Sequence, residues 1–128
     1  MARTELFVNK QSGGMFAVES MELSTGSRFF VDSVTGTNAV GGGRNPDKPV
    51  ATLDYAIGLC TASKGDVIYV MPGHAETIAA TDGFDADVAG IKIIGLGWGA
   101  LRPTFNFTDT ASQVNIGANN VTIENLRF

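Results

Sequence analysis

An all-β solenoid with a single helix near its N-terminal end is the fold class the sequence predicts, on three observations. Glycine supplies 16 of the 128 residues, against a usual share of about 7%. The glycines follow no three-residue period, which excludes collagen. They suit tight turns between short strands better than a helical bundle, where each interior glycine costs about 1 kcal/mol. Strand-like apolar runs begin at Val67, Ile91 and Val121, 24 and then 30 residues apart. A recurrence on that scale marks chains whose turns stack on one another. Helix-period patterning is found in one place only, over residues 53–61.

Composition bounds the rest. A chain of this length has room for one domain. It is 44% apolar and 17% charged, too apolar for a disordered chain. Nine Lys and Arg against thirteen Asp and Glu leave a net charge of −4. That balance does not favour nucleic acid as a partner. The one cysteine excludes an internal disulfide and a cysteine-based zinc site. No apolar run approaches 18 residues, so no membrane-spanning helix is expected. Glu5, Asn9, Lys10 and Gln11 stand where a secretion signal would be apolar, so synthesis in a reducing cytoplasm is expected.

The elements follow in order. Residues 1–27 read as an arm. Its apolar runs, Leu6-Phe7-Val8 and Met15-Phe16-Ala17-Val18, flank Gln11-Ser12-Gly13-Gly14. They suit either a hairpin around that turn or extended segments lying on another subunit. Leu6, Phe7, Val8, Met15, Phe16 and Val18 are the candidate partner-binding residues, since exposed apolar side chains outside the repeat form an interface patch.

Residues 28–65 read as a cap. Arg28 to Asp32 is aromatic and β-branched, as strands are. The glycine-rich loop that follows contains Pro46 and Pro49, which bar helix. The helix is expected over Leu53 to Thr61. Thr52 is its N-cap and Asp54 sits at the positive end of its dipole. Leu53, Ala56, Ile57 and Cys60 fall on one face, and Lys64 and Gly65 are expected to end it.

Residues 66–128 read as coils of short strands: Val67 to Met71, Ile91 to Ile94 and Val121 to Leu126. Weaker segments lie between them at Glu76 to Ile78, Thr104 to Phe107 and Gln113 to Ile116. Inward residues would align as Val67 or Ile68, Ile91 or Ile93, and Val121 or Ile123.

These segments carry a resemblance. Phe30-Val31-Asp32, Gly36-Thr37-Asn38, Gly43-Arg44-Asn45-Pro46 and the run from Pro49 to Ile57 look like the N-terminal cap of right-handed parallel β-helix (pectate-lyase-like) proteins, many of them from bacteriophages. The run Gly65-Asp66-Val67-Ile68-Tyr69-Val70-Met71-Pro72-Gly73 looks like a first coil. Val88 to Gly95 and Asn119 to Leu126 look like a second and third. The likeness covers residues 28–128 and implies an all-β, short right-handed parallel β-helix: a single-stranded solenoid with one cap helix and an extended N-terminal arm. Such proteins usually have more coils and a closing cap. The whole chain is similar to short phage virion proteins that decorate heads or belong to tail spikes.

The candidate chemistry is sparse. Asp82, Asp85 and Asp87 suggest calcium but lack the spacing of an EF-hand loop, and read as an acidic turn. Paired carboxylates at coil spacing, as a polysaccharide lyase or glycosidase would need, are not found. His74 has no nucleophile in a recognisable motif and reads as a surface residue. Cys60 reads as a small buried hydrophobe. Gly41-Gly42-Gly43-Arg44 lacks the Lys-Ser/Thr ending of a phosphate cradle. Trp98, between Gly97 and Gly99, reads equally as a packed ring or as an exposed contact for a carbohydrate or a protein.

The expected function is structural: a capsid decoration protein of a phage virion, made in the host cytoplasm and attached through its arm. A tail spike or fibre anchor, or a carbohydrate-binding or carbohydrate-cleaving module, is the alternative. No enzyme activity, cofactor or metal is expected. The expected partners are capsid or tail proteins and further copies of the chain, in a trimer, with a surface carbohydrate as an option and no nucleic acid or membrane. Because the last strand is unblunted, its edge is expected to be covered by further chain or by partner subunits.

Overall fold

The computed structural model describes residues 26–79 and 83–128. Its elements in chain order are β1 (Arg28–Val31), α1 (Leu53–Leu59), β2 (Val67–Val70), β3 (Ala75–Ile78), β4 (Phe84–Ala86), β5 (Lys92–Gly95), a 3-10 turn at Gly99–Leu101, β6 (Thr104–Phe107), β7 (Val114–Ile116) and β8 (Thr122–Glu124). The strands lie in three parallel sheets, ordered β1-β2-β5-β8, β3-β6 and β4-β7.

Register fixes the core. Phe29, Ile68, Ile93 and Ile123 are partners across the large sheet, and the first three are fully buried. Of the inward pairs left open by the sequence, Ile68, Ile93 and Ile123 therefore share one column. Val31 and Val70 align with Gly95. A Cβ at Gly95 would collide with the backbone carbonyl of Asn125, so glycine lets the chain pass there. Asn125 makes that corner in the left-handed region (φ 57°). Its side-chain amide donates to the carbonyls of Gly95 (2.9 Å) and Gly97 (3.1 Å), the local bonding that lets Asn adopt this conformation.

The N-terminal end of the large sheet is closed. The outer edge of β1 bonds to the loop: Phe30 N–H donates to the Gly43 carbonyl (2.7 Å), and Val50 N–H to the Phe30 carbonyl (3.0 Å). Helix α1 packs on β1, β2 and β4 and buries Leu53, Ala56 and Ile57. Thr52 Oγ1 accepts from Tyr55 N–H, and Asp54 lies in the first turn. The helix ends at Leu59, with Cys60 extended, and not at Thr61. Lys64 and Gly65 belong to a separate turn. Buried Asp66 draws the chain out of the helix: its carboxylate accepts from Thr61 N–H and from Ser27 N–H, both at 2.7 Å.

Two further expectations are corrected. The acidic turn at 82–87 contains strand β4, because Phe84 and Ala86 both point inward and are buried. The all-β right-handed parallel β-helix is replaced by a smaller arrangement of short strands in parallel sheets with one α-helix. Successive strands from β2 onward visit the three sheets in turn, but only two passes are complete, and two sheets have just two strands. A solenoid needs about three repeats to support itself. Here the helix and the loop bonded to β1 contribute to one shared core. The helix is thus a core element and not a lid over a finished stack.

Candidate interaction surface

At the far end the described residues leave β7 and β8 as edge strands, while β6 is bonded through Phe105 N–H to the Arg127 carbonyl. Thr122 N–H donates to the Ile91 carbonyl. Backbone groups alternate in direction along a parallel strand, so the N–H and C=O of Ile123 face away from β5. Gly117 N–H donates to the Ala86 carbonyl, which by the same alternation leaves the backbone of Val114 and Ile116 facing outward. Val114 and Ile116 continue the columns of Phe84 and Ala86, as Ile123 continues that of Ile93.

These side chains surround a concavity of about 570 Å³, lined by Phe107, Ser112, Gln113, Val114, Ile116, Ile123 and Phe128. None of the seven carries a charged side chain. Phe128 is 60% exposed and Ile116 57%. The Phe128 ring closes an aromatic cluster, with centroids 5.9 Å from Phe105, 6.1 Å from Phe107 and 6.4 Å from Phe84. The rim is thus the continuation of the core, left uncovered.

The residues singled out in the sequence fall elsewhere. Leu6, Phe7, Val8, Met15, Phe16 and Val18 lie outside the described residues, as does Asp82. Asp85 lies on β4, where its N–H donates to Asp54 Oδ1 (3.2 Å). Among the described residues no three His, Cys, Asp or Glu side chains gather as a metal would require. The glycine loop offers no phosphate cradle at two of its N–H groups: those of Gly42 and Gly43 bond to the carbonyls of Ala39 and Lys48. Arg44 lies over the Phe29 ring, 5.3 Å from its centroid, a cation–π contact.

His74 is not on the surface; it is 1% exposed. Its Nε2 lies 2.8 Å from Glu76 Oε2, and its ring lies against Phe105. Glu76 Oε2 also accepts from Leu53 N–H (3.0 Å), so β3 is tied through one carboxylate to the start of α1. Cys60 is half-buried, and its thiol donates to the Ala56 carbonyl (3.4 Å). Burial pushes the thiol up from 9.0 to about 12, the Asp66 charge adds to this, and Lys64 partly offsets it. A thiol held protonated is a poor nucleophile.

Trp98 is 87% exposed, which decides between its two readings in favour of an exposed ring. It sits between Gly97 (φ 113°) and Gly99 (φ 55°), and its carbonyl accepts from Leu101 N–H. The shape of the rim was the feature missed in the sequence. The signal for it was the Val114/Ile116 alternation, with Phe107 and Phe128 at the ends of their segments.

Comparison with family models, curated proteins and solved structures finds no match to this chain.

Proposed function

We propose that this chain is a structural protein of a phage virion, held in place by protein contacts as a capsid decoration protein. The observation that supports an assembly role is the uncharged apolar rim, with Phe128 and Ile116 more than half exposed. Contiguous apolar surface with a ready strand edge is what assembly interfaces offer. The phage setting, and attachment through residues 1–27, rest on the resemblance of the sequence and on the apolar runs of the arm. The same features also suit an anchoring segment of a tail spike.

The test is quantitative mass spectrometry of purified virions, with the wild-type chain and a variant lacking residues 1–25, which keeps the Ser27 bonds to Asp66 and Val67. The chain is expected in the virion at a head-protein copy number, with the truncated form folded but absent from particles. Normal incorporation of the truncated form would refute attachment through the arm.

Trp98 supports a second reading, carbohydrate binding. It is the chain's one tryptophan, so intrinsic fluorescence reports on it directly. A saturable change on adding host surface polysaccharide, lost in Trp98→Ala, would favour this reading.

A further inference from the structure

The large sheet has a second face, turned away from the core. Side chains alternate along a strand. Phe30, Tyr69 and Ile94, partners in register, therefore point opposite to Phe29, Ile68 and Ile93. So does Val67, which stands between Arg28 and Lys92. Yet Val67 is 2% exposed and Tyr69 8%, while Phe30 and Ile94 are half-buried. None of the four belongs to the core cluster. Among the described elements β2 meets only β1, β5 and α1. The first two lie beside it in the sheet, and α1 turns its buried residues into the core. Sheet neighbours, such as the Phe30 ring stacked 5.6 Å from that of Tyr69, flank a side chain without lying over it. Parallel sheets are found with both faces covered, and this one needs a cover beyond its core.

We propose that residues 15–23 of the same chain occupy this face. The inference goes beyond the assembly reading and does not depend on it. Attachment puts the segment in place: Ser27 N–H donates to Asp66 Oδ1 (2.7 Å) and the Ser27 carbonyl accepts from Val67 N–H (3.0 Å). The arm thus joins the sheet beside Val67. A chain spans at most about 3.5 Å per residue, and four strands about 4.8 Å apart are about 14 Å across, so residues 15–23 reach the whole face. Their composition matches it. Met15, Phe16, Val18, Met21 and Leu23 are apolar, and Glu19 and Glu22 are the only charges of the segment. The face offers four apolar side chains, with Arg28 and Lys92 on either side of Val67. Glu124, the carboxylate among the strand residues of this face, lies on β8, away from the junction. A short tether holds the segment at roughly millimolar effective concentration, which favours the chain's own arm over that of a second copy. Leu6, Phe7 and Val8 are then the part of the arm left for a partner.

Nitration by tetranitromethane, mapped by peptide mass spectrometry, tests this on the two tyrosines of the chain, Tyr55 and Tyr69. Tyr69 should react at least about tenfold faster in the variant lacking residues 1–25 and in full-length Phe16→Asp, because its cover is gone or displaced by a charge. Tyr55 should be unchanged in both. A variant lacking only residues 1–10 should keep Tyr69 slow. Equal Tyr69 rates with and without residues 1–25 overturn the proposal, as does a fast Tyr69 after loss of residues 1–10 alone.

Faster reaction of both tyrosines would report unfolding, and cross-linking then decides. p-Benzoylphenylalanine is placed at Phe30 in the full-length chain, at a concentration where sedimentation shows a monomer. Photo-cross-links into residues 15–23 of the same chain are expected. Cross-links confined to residues 26–128 refute the proposal. If the chain does not dissociate and the cross-links join two chains, a second copy's arm is the cover and occupation by the same chain is refuted. Absence of the protein from virions would remove the phage reading and leave these results standing.

Discussion

Cys60 shows how one residue's surroundings set its chemistry. Its thiol hydrogen bonds to the carbonyl one helical turn back, and burial first, then the Asp66 charge, raise its pKa to about 12. In the unfolded chain the thiol ionises near its ordinary value of 9.0. Between those values the unfolded state binds fewer protons than the folded one, so stability falls as pH rises. The stabilising contribution is complete below about pH 9 and is lost as pH climbs towards 12. The urea midpoint of the wild type should therefore drop more steeply over this range than that of Cys60→Ala. Thiol labelling at pH 8 should be far slower in the folded protein than in urea. Equal labelling rates would show the thiol to be neither buried nor held protonated.

Helix α1 is the element on which the closed end depends. It is seven residues long, too short to persist on propensity alone, so packing and capping must hold it. Replacing Ile57 by Asp places an unpaired carboxylate among Leu53, Ala56 and the sheet residues of the core. That costs several kcal/mol, comparable to the stability of a small domain. Insoluble or unfolded protein is expected, whereas Thr52→Ala should lower stability by only about 1 kcal/mol. Chemical denaturation distinguishes the two, and a soluble Ile57→Asp with wild-type melting would contradict the burial of this face. The helix start was readable in the sequence because Thr52, Asp54 and the Leu53/Ala56/Ile57 face are local signals. Its end was not, since the Asp66 carboxylate that accepts from Thr61 N–H is itself placed by a long-range bond from Ser27 N–H. Strand β4 was obscured by its flanking aspartates, and His74 by the Pro72-Gly73 turn before it. Nothing local reveals that Phe105, from β6, lies against that ring. Strand β8 was visible in the β-branched run Val121-Thr122-Ile123. The concavity beside it was not, because it is shaped by residues from β6 and β7 and by the Phe128 ring.

Across the whole molecule the two ends differ in kind, and this asymmetry has a measurable consequence. At one end Phe30 and Val50 exchange backbone bonds with the loop and sheet, and α1 covers the core. At the other, β7 and β8 each lie at the edge of a sheet with a neighbour on one side only, and their side chains are half-buried or exposed. Local opening is easiest where backbone bonds meet solvent and few apolar contacts must be broken. Amide exchange in the free protein should therefore be graded along the large sheet. Ile68 in β2 and Ile94 in β5, whose N–H groups lie between these two paired strands, should exchange only on global unfolding. Ile123 in β8, and Val114 and Ile116 in β7, should exchange fastest, since their outward N–H groups have no strand beside them. Addition of denaturant well below the midpoint should leave the slow set unchanged and accelerate β8 through local opening. If the rim is an assembly surface, as proposed, the gradient should flatten on assembly, with the rim amides slowing towards those of β5. Uniform exchange across β2, β5 and β8 in the free protein would show that the C-terminal end is covered in solution. The open rim would then be no feature of the free chain.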